Sequence, residues 1–439
     1  MKRAFGGFVL LSLGFLQAQF DTGAVLGTIR DRSESVVSSV KVTLTNVETN
    51  LSVTKETDSN GNYEFFTVKP GRYKVMAEKT GFSTATANDI VVNVNARQRV
   101  DLTLAVGAVT ETVEVSATVP LVESETSQRG QVIESKKIVE LPLNGRNYAD
   151  LALLSAGVRR SSYAVANPPR EGSFNVNGQR STFNNFLLDG VDNNAYGTSN
   201  QGFSNQVTNL PPDAITEFRI VTNNMSAEYG RTSGAAINAS MRSGTNQFHG
   251  AVWEFLRNTD LNAVGFFKPR SKPNLQRNQF GFTLGGPLRR DRAFFFTDWE
   301  GFRERTSFLT SATLPTAAQR QGIFPVAITN PLTGRVYAPN SGIPRADITP
   351  FARAIIDGLP LPNSAVNANQ FDNLRRDRNN TDKMDAKLDG QITARLTAFA
   401  RASHRKTNML QAPEIPGIAG GDGNGFIRIL NQQLAFGIT

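Results

Sequence analysis

Few residues of this chain have the types and the spacing that catalysis or metal binding requires. The sequence has two histidines, His249 and His404, which are far apart and lack the spacing of zinc ligands. It has no cysteine, which excludes thiol chemistry and a disulfide framework. The run DSNGN (residues 58–62) offers oxygen ligands, but Lys69 stands where a calcium loop has its acidic residue, so we expect a hairpin turn. The sequence therefore predicts a protein that is not an enzyme and that needs no cofactor.

The stretch ETVEVSA (residues 111–117) has a different chemical capacity, which is strand addition. Its threonines and valines suit an extended strand, whose free N–H and C=O groups can pair with the exposed sheet edge of a partner. The candidate residues are Glu111, Thr112, Val113, Glu114, Val115, Ser116 and Ala117. Val113 and Val115 would fill alternate pockets of that partner. Alternatively, residues 112–115 simply form the last edge strand of a neighbouring domain.

The N-terminus has the features of a secretory signal peptide. Lys2 and Arg3 precede an apolar run that ends at Leu16, and the small residue Ala18 follows. The run is shorter than the roughly 20 residues that span a bilayer. We therefore expect residues 1–18 to be a signal peptide, cleaved after Ala18, and the mature chain to be soluble, peripheral or inserted as a barrel.

The chain is basic, with a net charge of +9. Its lysines and arginines are dispersed, and the densest cluster is RRDR (residues 375–378). Dispersed positive charge on an exported chain is typical of solvated strand ends and loops, and such loops can lie near anionic lipid. We expect outer-membrane lipid as a partner and no nucleic acid.

Residues 19–106 read as short strands separated by turns, such as VKVTLTNV (residues 40–47), which alternates with a period of two. Asn60-Gly61 and Pro70-Gly71 mark the turns. The run from GTIRD through VKVTLTNVETN to KPGRYKVMAEKTGF resembles the carboxypeptidase regulatory-like domain. That resemblance implies a small prealbumin-like β-sandwich, similar in class to carbohydrate-binding-like folds, and no peptidase activity.

Residues 125–247 are richer in Asn, Gly and Ser. Tyr148–Leu154 is expected to be helical, a second helix is expected to start at residues 211–213, and EFRIVT to follow as a strand. NNFLLDGVDNN and ITEFRIVTNNMSAEYGRTSGAAINASMRSGT, in this order, resemble the plug domain of TonB-dependent outer-membrane receptors. LPLNGRNYADLALLSAGV narrows the resemblance to the Oar-like receptors. The resemblance assigns to plug motifs Asn177, Gly178, Asp189, Gly190, Val191, Tyr229 and Gly230.

The sequence departs from the siderophore receptors of this superfamily at one place. Those receptors usually have Arg-Gly-Pro after the strand that corresponds to EFRIVT. Here Val221 is followed by Thr222, Asn223 and Asn224. The departure argues against siderophore transport but not against the receptor assignment.

Residues 248–439 contain alternating runs that suit a barrel wall with a lipid face and a lumen face. QFGFTLGGPL and RAFFFTDWEGF are expected to pair across RRD. QITARLTAFARAS is expected to form one strand with Ile392, Leu396 and Ala400 on its apolar face, Arg401 on its polar face and Phe399 as an exception. With strands of about ten residues, at most about eight would fit, so we expect an incomplete barrel from the N-terminal part of a longer receptor or from a truncated gene product.

The sequence thus predicts a mainly β protein: a sandwich, an α+β plug and the first strands of an antiparallel transmembrane β-barrel. The resemblance places a TonB box in the linker, residues 107–124, and implies TonB, with its inner-membrane energising complex, as partner. It implies import of a large extracellular ligand across the outer membrane, with the N-terminal domains in the periplasm. Residues 193–209 are candidates for ligand contact, and oligosaccharide, peptide and metal chelate remain open. An adhesin or structural surface protein with the same domains is the alternative.

Overall fold

The computed structural model describes residues 22–107, 112–114, 126–161, 172–195, 206–230, 232–263, 272–393, 396–417, 420 and 425–438. The expected signal peptide lies outside these residues. Among the described residues, no helix is both long enough and apolar enough to cross a membrane.

The first domain is a two-sheet sandwich. Its strands are β1 (Gly23–Asp31), β2 (Lys41–Asn46), β3 (Ser52–Glu56), β4 (Asn62–Val68), β5 (Gly71–Glu78), β6 (Thr84–Val92), β7 (Arg97–Arg99), β8 (Leu102–Leu104) and β9 (Thr112–Glu114). One sheet has the order β4-β1-β7, with β8 also paired to β1, and the other has the order β3-β2-β5-β6-β9. Alternating side chains such as Val42, Leu44 and Val75 fill the space between the sheets.

The DSNGN run is a turn, as expected. The carboxylate of Asp58 accepts hydrogen bonds from the backbone N–H groups of Asn60 and Asn62, at 2.9 and 2.8 Å. Gly61 has φ +72°, a conformation that glycine adopts without steric cost. The carboxylate of Asp58 is therefore engaged by its own turn.

The second domain is built on a five-stranded sheet. Its elements are β10 (Arg129–Glu134), α1 (Ser135–Glu140), β11 (Val158–Arg160), β12 (Phe174–Val176), β13 (Asn185–Leu188), β14 (Val191–Asp192), β15 (Ile215–Asn223) and β16 (Ala236–Met241). The sheet has the order β10-β15-β16-β13-β14, in which only β13 and β16 pair in parallel. Buried side chains such as Ile133, Phe218 and Ile237 form its core.

Two helices expected in this domain are shorter or tighter than the sequence suggested. Tyr148–Leu154 is a 3₁₀ helix, which packs the buried Tyr148 and Leu151 against the core. Pro212–Ala214 is a single 3₁₀ turn that leads directly into β15 rather than the start of a longer helix. The core needs Phe218 and Ile220 as alternate residues of a strand, and this packing requirement ends the turn.

The third part is an antiparallel sheet, called here the barrel wall. Its strands are β17 (His249–Asn258), β18 (Leu275–Arg289), β19 (Ala293–Thr313), β22 (Gln370–Thr393), β23 (Leu396–Gln411) and β24 (Gly425–Ile438). The long connection between β19 and β22 contains α2 (Ala317–Arg320), β20 (Ile328–Thr329), β21 (Val336–Tyr337) and α3 (Pro350–Gly358). Among the described residues, the wall has the order β17-β18-β19-β22-β23-β24, and its two edge strands, β17 and β24, do not pair with each other. The six described strands fall within the expected limit of eight.

Two expectations for the wall were wrong. Its strands reach 24 residues rather than about ten, because β19 and β22 stay paired far beyond the other strands. QITARLTAFARAS is not one strand: β22 ends at Thr393, β23 begins at Leu396, and these two residues pair with each other. The expected pairing of β18 with β19 is confirmed, with a turn at residues 290–292.

The two faces of the wall differ in polarity. Apolar side chains are exposed on the outer face, including Val252, Leu256, Phe282, Leu284, Leu388, Leu430 and Leu434. Polar and charged side chains are buried on the inner face, including Gln279, Asp298, Glu300, Lys383, Asp385, Lys387, Arg401 and Ser403. The expected lipid-face and lumen-face alternation is therefore present, and the second domain covers the polar face.

Candidate functional site

The turn between β13 and β14 places Asp189 at the boundary between the second domain and the wall. Asp189 and Gly190 have φ of +49° and +71°, as the sequence pair Asp-Gly favours in a tight reversal. The backbone N–H of Asp189 donates to the carbonyl of Ala239 at 2.9 Å. The carboxylate of Asp189 accepts from the backbone N–H of Met241 at 3.0 Å. The turn is thereby fixed to the end of β16, and its carboxylate is oriented toward the wall.

The carboxylate of Asp189 forms ion pairs with two wall strands. Lys387 Nζ lies 2.9 Å from Oδ1, and Arg401 Nε lies 2.8 Å from Oδ2. The side chains of Asp189 and Arg401 are completely buried. Lys387 also donates to the carbonyl of Met241 at 3.1 Å, and Arg401 to that of Leu188 at 3.3 Å. In addition to the carboxylate, Lys387 therefore holds the end of β16 and Arg401 holds the end of β13 that leads into the turn.

The charge state of Asp189 follows from this environment. Burial by itself raises the pKa of a carboxyl group, because it disfavours the charged form. The positive charges of Lys387 and Arg401, with the hydrogen bonds from Lys387 and Met241, outweigh burial and hold the pKa of Asp189 below its ordinary value. Asp189 is thus ionised at neutral pH, and we call Asp189, Lys387 and Arg401 the plug–wall triad.

A second contact between the domains is centred on Arg146. Its Nε donates to Glu300 Oε2 of the wall at 3.1 Å, and its Nη2 forms an ion pair with Asp213. The guanidinium carbon lies 4.4 Å from the ring centre of Phe255 and 5.0 Å from that of Trp253. A planar guanidinium suits both roles, since it donates in a fixed fork and stacks on aromatic faces.

Glu300 extends this contact along the wall, because its other oxygen lies 3.2 Å from Lys383 Nζ. Arg146, Glu300 and Lys383 therefore form a chain of buried charges that is separate from the plug–wall triad. The 3₁₀ helix that follows Arg146 and the turn that contains Asp213 are both fixed by it. The two clusters of buried charge thus lie at separate places on the boundary, and further hydrogen bonds, such as that from Gln279 Nε2 to the carbonyl of Gly145 at 3.2 Å, also join the second domain to the wall.

The other motif residues of the sequence analysis lie elsewhere. Asn177 and Gly178 form an exposed turn with φ of +48° and +82°. Asn177 Nδ2 donates to Thr222 O and to Asn223 Oδ1, both at 3.0 Å. This turn contacts the end of β15 and does not meet the triad.

Tyr229 and Gly230 also serve the interior of the second domain. The ring of Tyr229 is buried with Leu187, Val221 and Ala236. The carbonyl of Tyr229 accepts from Asn185 Nδ2 at 2.6 Å. Val191 pairs with Leu188 across the Asp189-Gly190 turn. Of the seven motif residues, only Asp189 forms an ion pair with the wall among the described residues.

The ETVEVSA stretch is described in part. The backbone of Thr112–Glu114 forms β9, which pairs in parallel with β6 so that Thr112 lies opposite Thr84. Glu111, Val115, Ser116 and Ala117 lie outside the described residues. The three described residues thus form an edge strand of the sandwich, which is the alternative that the sequence left open.

Sequence reasoning missed the partners of Asp189. Arg401 was expected on the polar face of its strand, but nothing local identified it as a plug contact. Arg146 lies within the LPLNGRNY run and was not singled out. One signal could have identified these partners. A charged residue on the polar face of a wall strand requires an oppositely charged partner if another domain covers that face.

Comparison with protein families divides the chain into three matched regions. Residues 24–105 match the carboxypeptidase regulatory-like domain. Residues 122–237 match the TonB-dependent receptor plug domain. Residues 240–439 match an outer membrane β-barrel domain. The second domain described above is called the plug from here on.

A curated relative is the TonB-dependent transporter Oar of Myxococcus xanthus, which is 28% identical over 313 residues. The alignment covers 67% of this chain and 28% of Oar, so the chain spans little more than a quarter of that relative.

Two solved structures are similar at low identity. The siderophore receptor PirA from Acinetobacter baumannii is 16% identical, with a TM-score of 0.38, and covers 64% of this chain and 32% of its own. A mutant of the ferric enterobactin receptor PfeA from Pseudomonas aeruginosa is 13% identical, with a TM-score of 0.42. The match covers 70% of this chain and 38% of the PfeA chain.

The curated relative Oar is named as a TonB-dependent transporter. The plug and barrel domains imply an outer-membrane protein. In one polypeptide the chain joins regions that match a carboxypeptidase regulatory-like domain, a TonB-dependent receptor plug domain and an outer membrane β-barrel domain, and it is similar over two thirds of its length to the TonB-dependent transporter Oar.

Proposed function

We propose that this chain acts in a transporter that imports a large ligand across the outer membrane by TonB-driven rearrangement of its plug. The observation that carries the proposal is the plug–wall interface, which is made largely of charged and polar groups. Such groups can exchange their partners for water when the plug moves, whereas a broad apolar interface would lose its hydrophobic stabilisation.

The force would enter through the linker before β10. β10 is the edge strand of the plug sheet and pairs antiparallel with β15, from Arg129 opposite Asn223 to Glu134 opposite Glu217. A pull on the linker acts first on the hydrogen bond from Asn224 Nδ2 to the carbonyl of Ser127 and then separates the hydrogen bonds of β10 one after another, beginning at Arg129. The plug can therefore be opened from its edge before the buried ion pairs of its far side are disturbed.

We propose that residues 111–117 are the TonB box. Among the described strands, β9 pairs with β6 alone, and the proposal is that its second edge accepts a strand from the periplasmic domain of TonB. The proposal places the sandwich and the linker in the periplasm after removal of residues 1–18 as a signal peptide. The domain limits proposed from the sequence are 19–106, 107–124, 125–247 and 248–439.

The ligand class stays open among oligosaccharide, peptide and chelate. The described ends of the 193–209 segment are engaged within the plug. Asn193 is buried and exchanges two hydrogen bonds with the backbone of Thr208, at 2.9 and 3.0 Å. Gln206 accepts from the hydroxyl of Tyr148. The side-chain amides of Asn193 and Gln206 support the plug fold. If this segment contacts the ligand, the residues between Asn193 and Gln206 would make the contact.

The test is binding of a peptide of residues 106–125 to the periplasmic domain of TonB, followed by NMR titration. We expect shifts at an edge strand of TonB. A scrambled peptide and a Val113→Pro peptide serve as controls, because proline removes a strand donor. If the native peptide binds no better than the scramble, residues 111–117 are only an edge strand of the sandwich, and the adhesin alternative gains support.

A further inference from the structure

Three turns at one end of the sandwich lie against the plug and the wall. They connect β2 with β3, β4 with β5 and β6 with β7. The register places these turns at the same end, since Asn46 pairs with Tyr73 and Gly71 pairs with Val92. The residues that make the contacts therefore come from separate parts of the domain and act together.

The β6–β7 turn contacts the middle of the plug sheet. The backbone N–H of Val94 donates to the carboxylate of Glu217 on β15. Asn238 Nδ2 on β16 donates to Asn95 Oδ1 at 2.8 Å. Val94 is completely buried, and Glu217 and Asn238 are nearly so. This turn thus covers the junction of two central plug strands.

The other two turns contact the wall. Lys69 Nζ lies 3.0 Å from Asp389 Oδ2 near the end of β22. Asn50 Nδ2 donates to Asp291 Oδ1 at 2.9 Å in the β18–β19 turn. The backbone N–H of Asn246, between plug and wall, donates to the carbonyl of Glu48 in the β2–β3 turn at 3.1 Å. The sandwich therefore spans from the plug to the rim of the wall.

The contacted rim is the one with short turns. Three residues connect β18 with β19 and two connect β22 with β23, whereas the connections at the other rim are much longer. In outer-membrane barrels the short turns face the periplasm. From these contacts we propose that the sandwich is a docked cap that covers the periplasmic side of the closed plug. Its periplasmic placement rests on the proposed function, but the docking itself does not.

The chemistry of the contact suits reversible docking. The contacts between described residues named above are one ion pair and hydrogen bonds, which water can replace at small net cost. Glu217 and Asn238 regain water when the cap leaves, so no buried polar group is stranded in the open state. The linker between β9 and β10 continues into the cap through β9 and into the plug edge through β10. A pull on this linker therefore acts on the cap and on the plug.

The absence of cysteine allows a direct test in the full chain. Glu48→Cys and Gln247→Cys are combined, because both side chains are exposed and the backbone of residue 246 bonds to Glu48. In the control, Arg32→Cys replaces Glu48→Cys. Arg32 lies in the turn at the opposite end of the sandwich, roughly 25 Å away at about 3.3 Å per strand residue.

Outer membranes that contain either variant are treated with a short bifunctional thiol reagent, and the linked peptides are measured by mass spectrometry. We expect at least a tenfold higher yield of the linked peptide for the Glu48→Cys pair than for the Arg32→Cys pair. Equal yields, or no linked peptide from either pair, would overturn the docked cap. TonB is not needed for this measurement, so a failed TonB-peptide titration and a failed cross-link are separate results.

Discussion

At the scale of single residues, Asp189 shows how a short motif acquires a role that the sequence does not display. The reversal at Asp189-Gly190 follows from local chemistry, because both residues tolerate positive φ. The partner Lys387 is 198 residues away, and local pattern cannot identify a pairing over that distance. The sequence therefore predicts the turn at Asp189 but not the ion pairs of Asp189 with Lys387 and Arg401.

Asp189→Asn should weaken the plug–wall contact strongly. The change leaves Lys387 and Arg401 buried without an anionic partner, which typically costs about 3–5 kcal/mol. The measurement is denaturant unfolding of the full chain in detergent, with protease sensitivity of the plug as a second readout. Asp89→Asn is the matched control, since Asp89 is exposed, and it should change stability by less than about 0.5 kcal/mol. Equal effects of the two substitutions would contradict the role of the triad.

The pH dependence of this contact has a defined sign. The pKa of Asp189 is lowered in the folded chain, so its carboxylate contributes stability above the ordinary aspartate pKa of about 3.9. That contribution is lost only as the pH falls through the lowered value. We expect the difference in stability between the parent chain and Asp189→Asn to be constant from pH 7 to about pH 5 and to shrink below about pH 4. A difference that disappears near neutrality would contradict an ionised Asp189.

At the scale of elements, alternation predicted the faces of the wall but not its strand ends. No glycine or proline stands between Thr393 and Leu396, so nothing in the composition marks the reversal there. The sequence also does not mark the lengths of β19 and β22. These two strands continue together because each supplies the hydrogen-bond partners of the other. Strand ends here are set by pairing, which a single segment does not contain.

The edge strand β10 gives a prediction at this scale. Ile133→Ala removes a completely buried side chain that packs in the plug core, and such truncations cost about 2–5 kcal/mol. Val139→Ala, six residues later on α1, removes a side chain that is 41% exposed and should have a much smaller effect. Hydrogen exchange of the β10 amides measures the local opening. Equal exchange in the two variants would show that β10 is not held by this core.

At the scale of the whole molecule, the sandwich has a core of its own. The buried cluster that contains Val25, Tyr63, Val75 and Leu104 draws every member from the sandwich. The sequence resemblance anticipated this unit, whereas its docking on the plug depends on turns that carry no signature. Local pattern thus predicted the parts of the molecule better than their assembly.

The isolated sandwich, residues 19–106, should therefore fold without the plug. We expect a cooperative thermal transition by circular dichroism. Val42→Ala, which opens a cavity in the core, should lower its midpoint, while Val47→Ala at an exposed position should leave it nearly unchanged. A broad transition in the parent fragment would mean that the plug or the wall is required for folding.

The order of the strands in the plug sheet has a kinetic consequence. The wall strands pair with neighbours in chain order, whereas Arg129 of β10 meets Asn223 of β15, 223 − 129 = 94 residues away. Closing so long a loop is entropically unfavourable and slow compared with forming a local hairpin. β10 is therefore expected to join the sheet late during folding, after β15 and β16 have paired. A pull on the linker would then reverse the final step of folding and leave the earlier, locally assembled part of the plug intact.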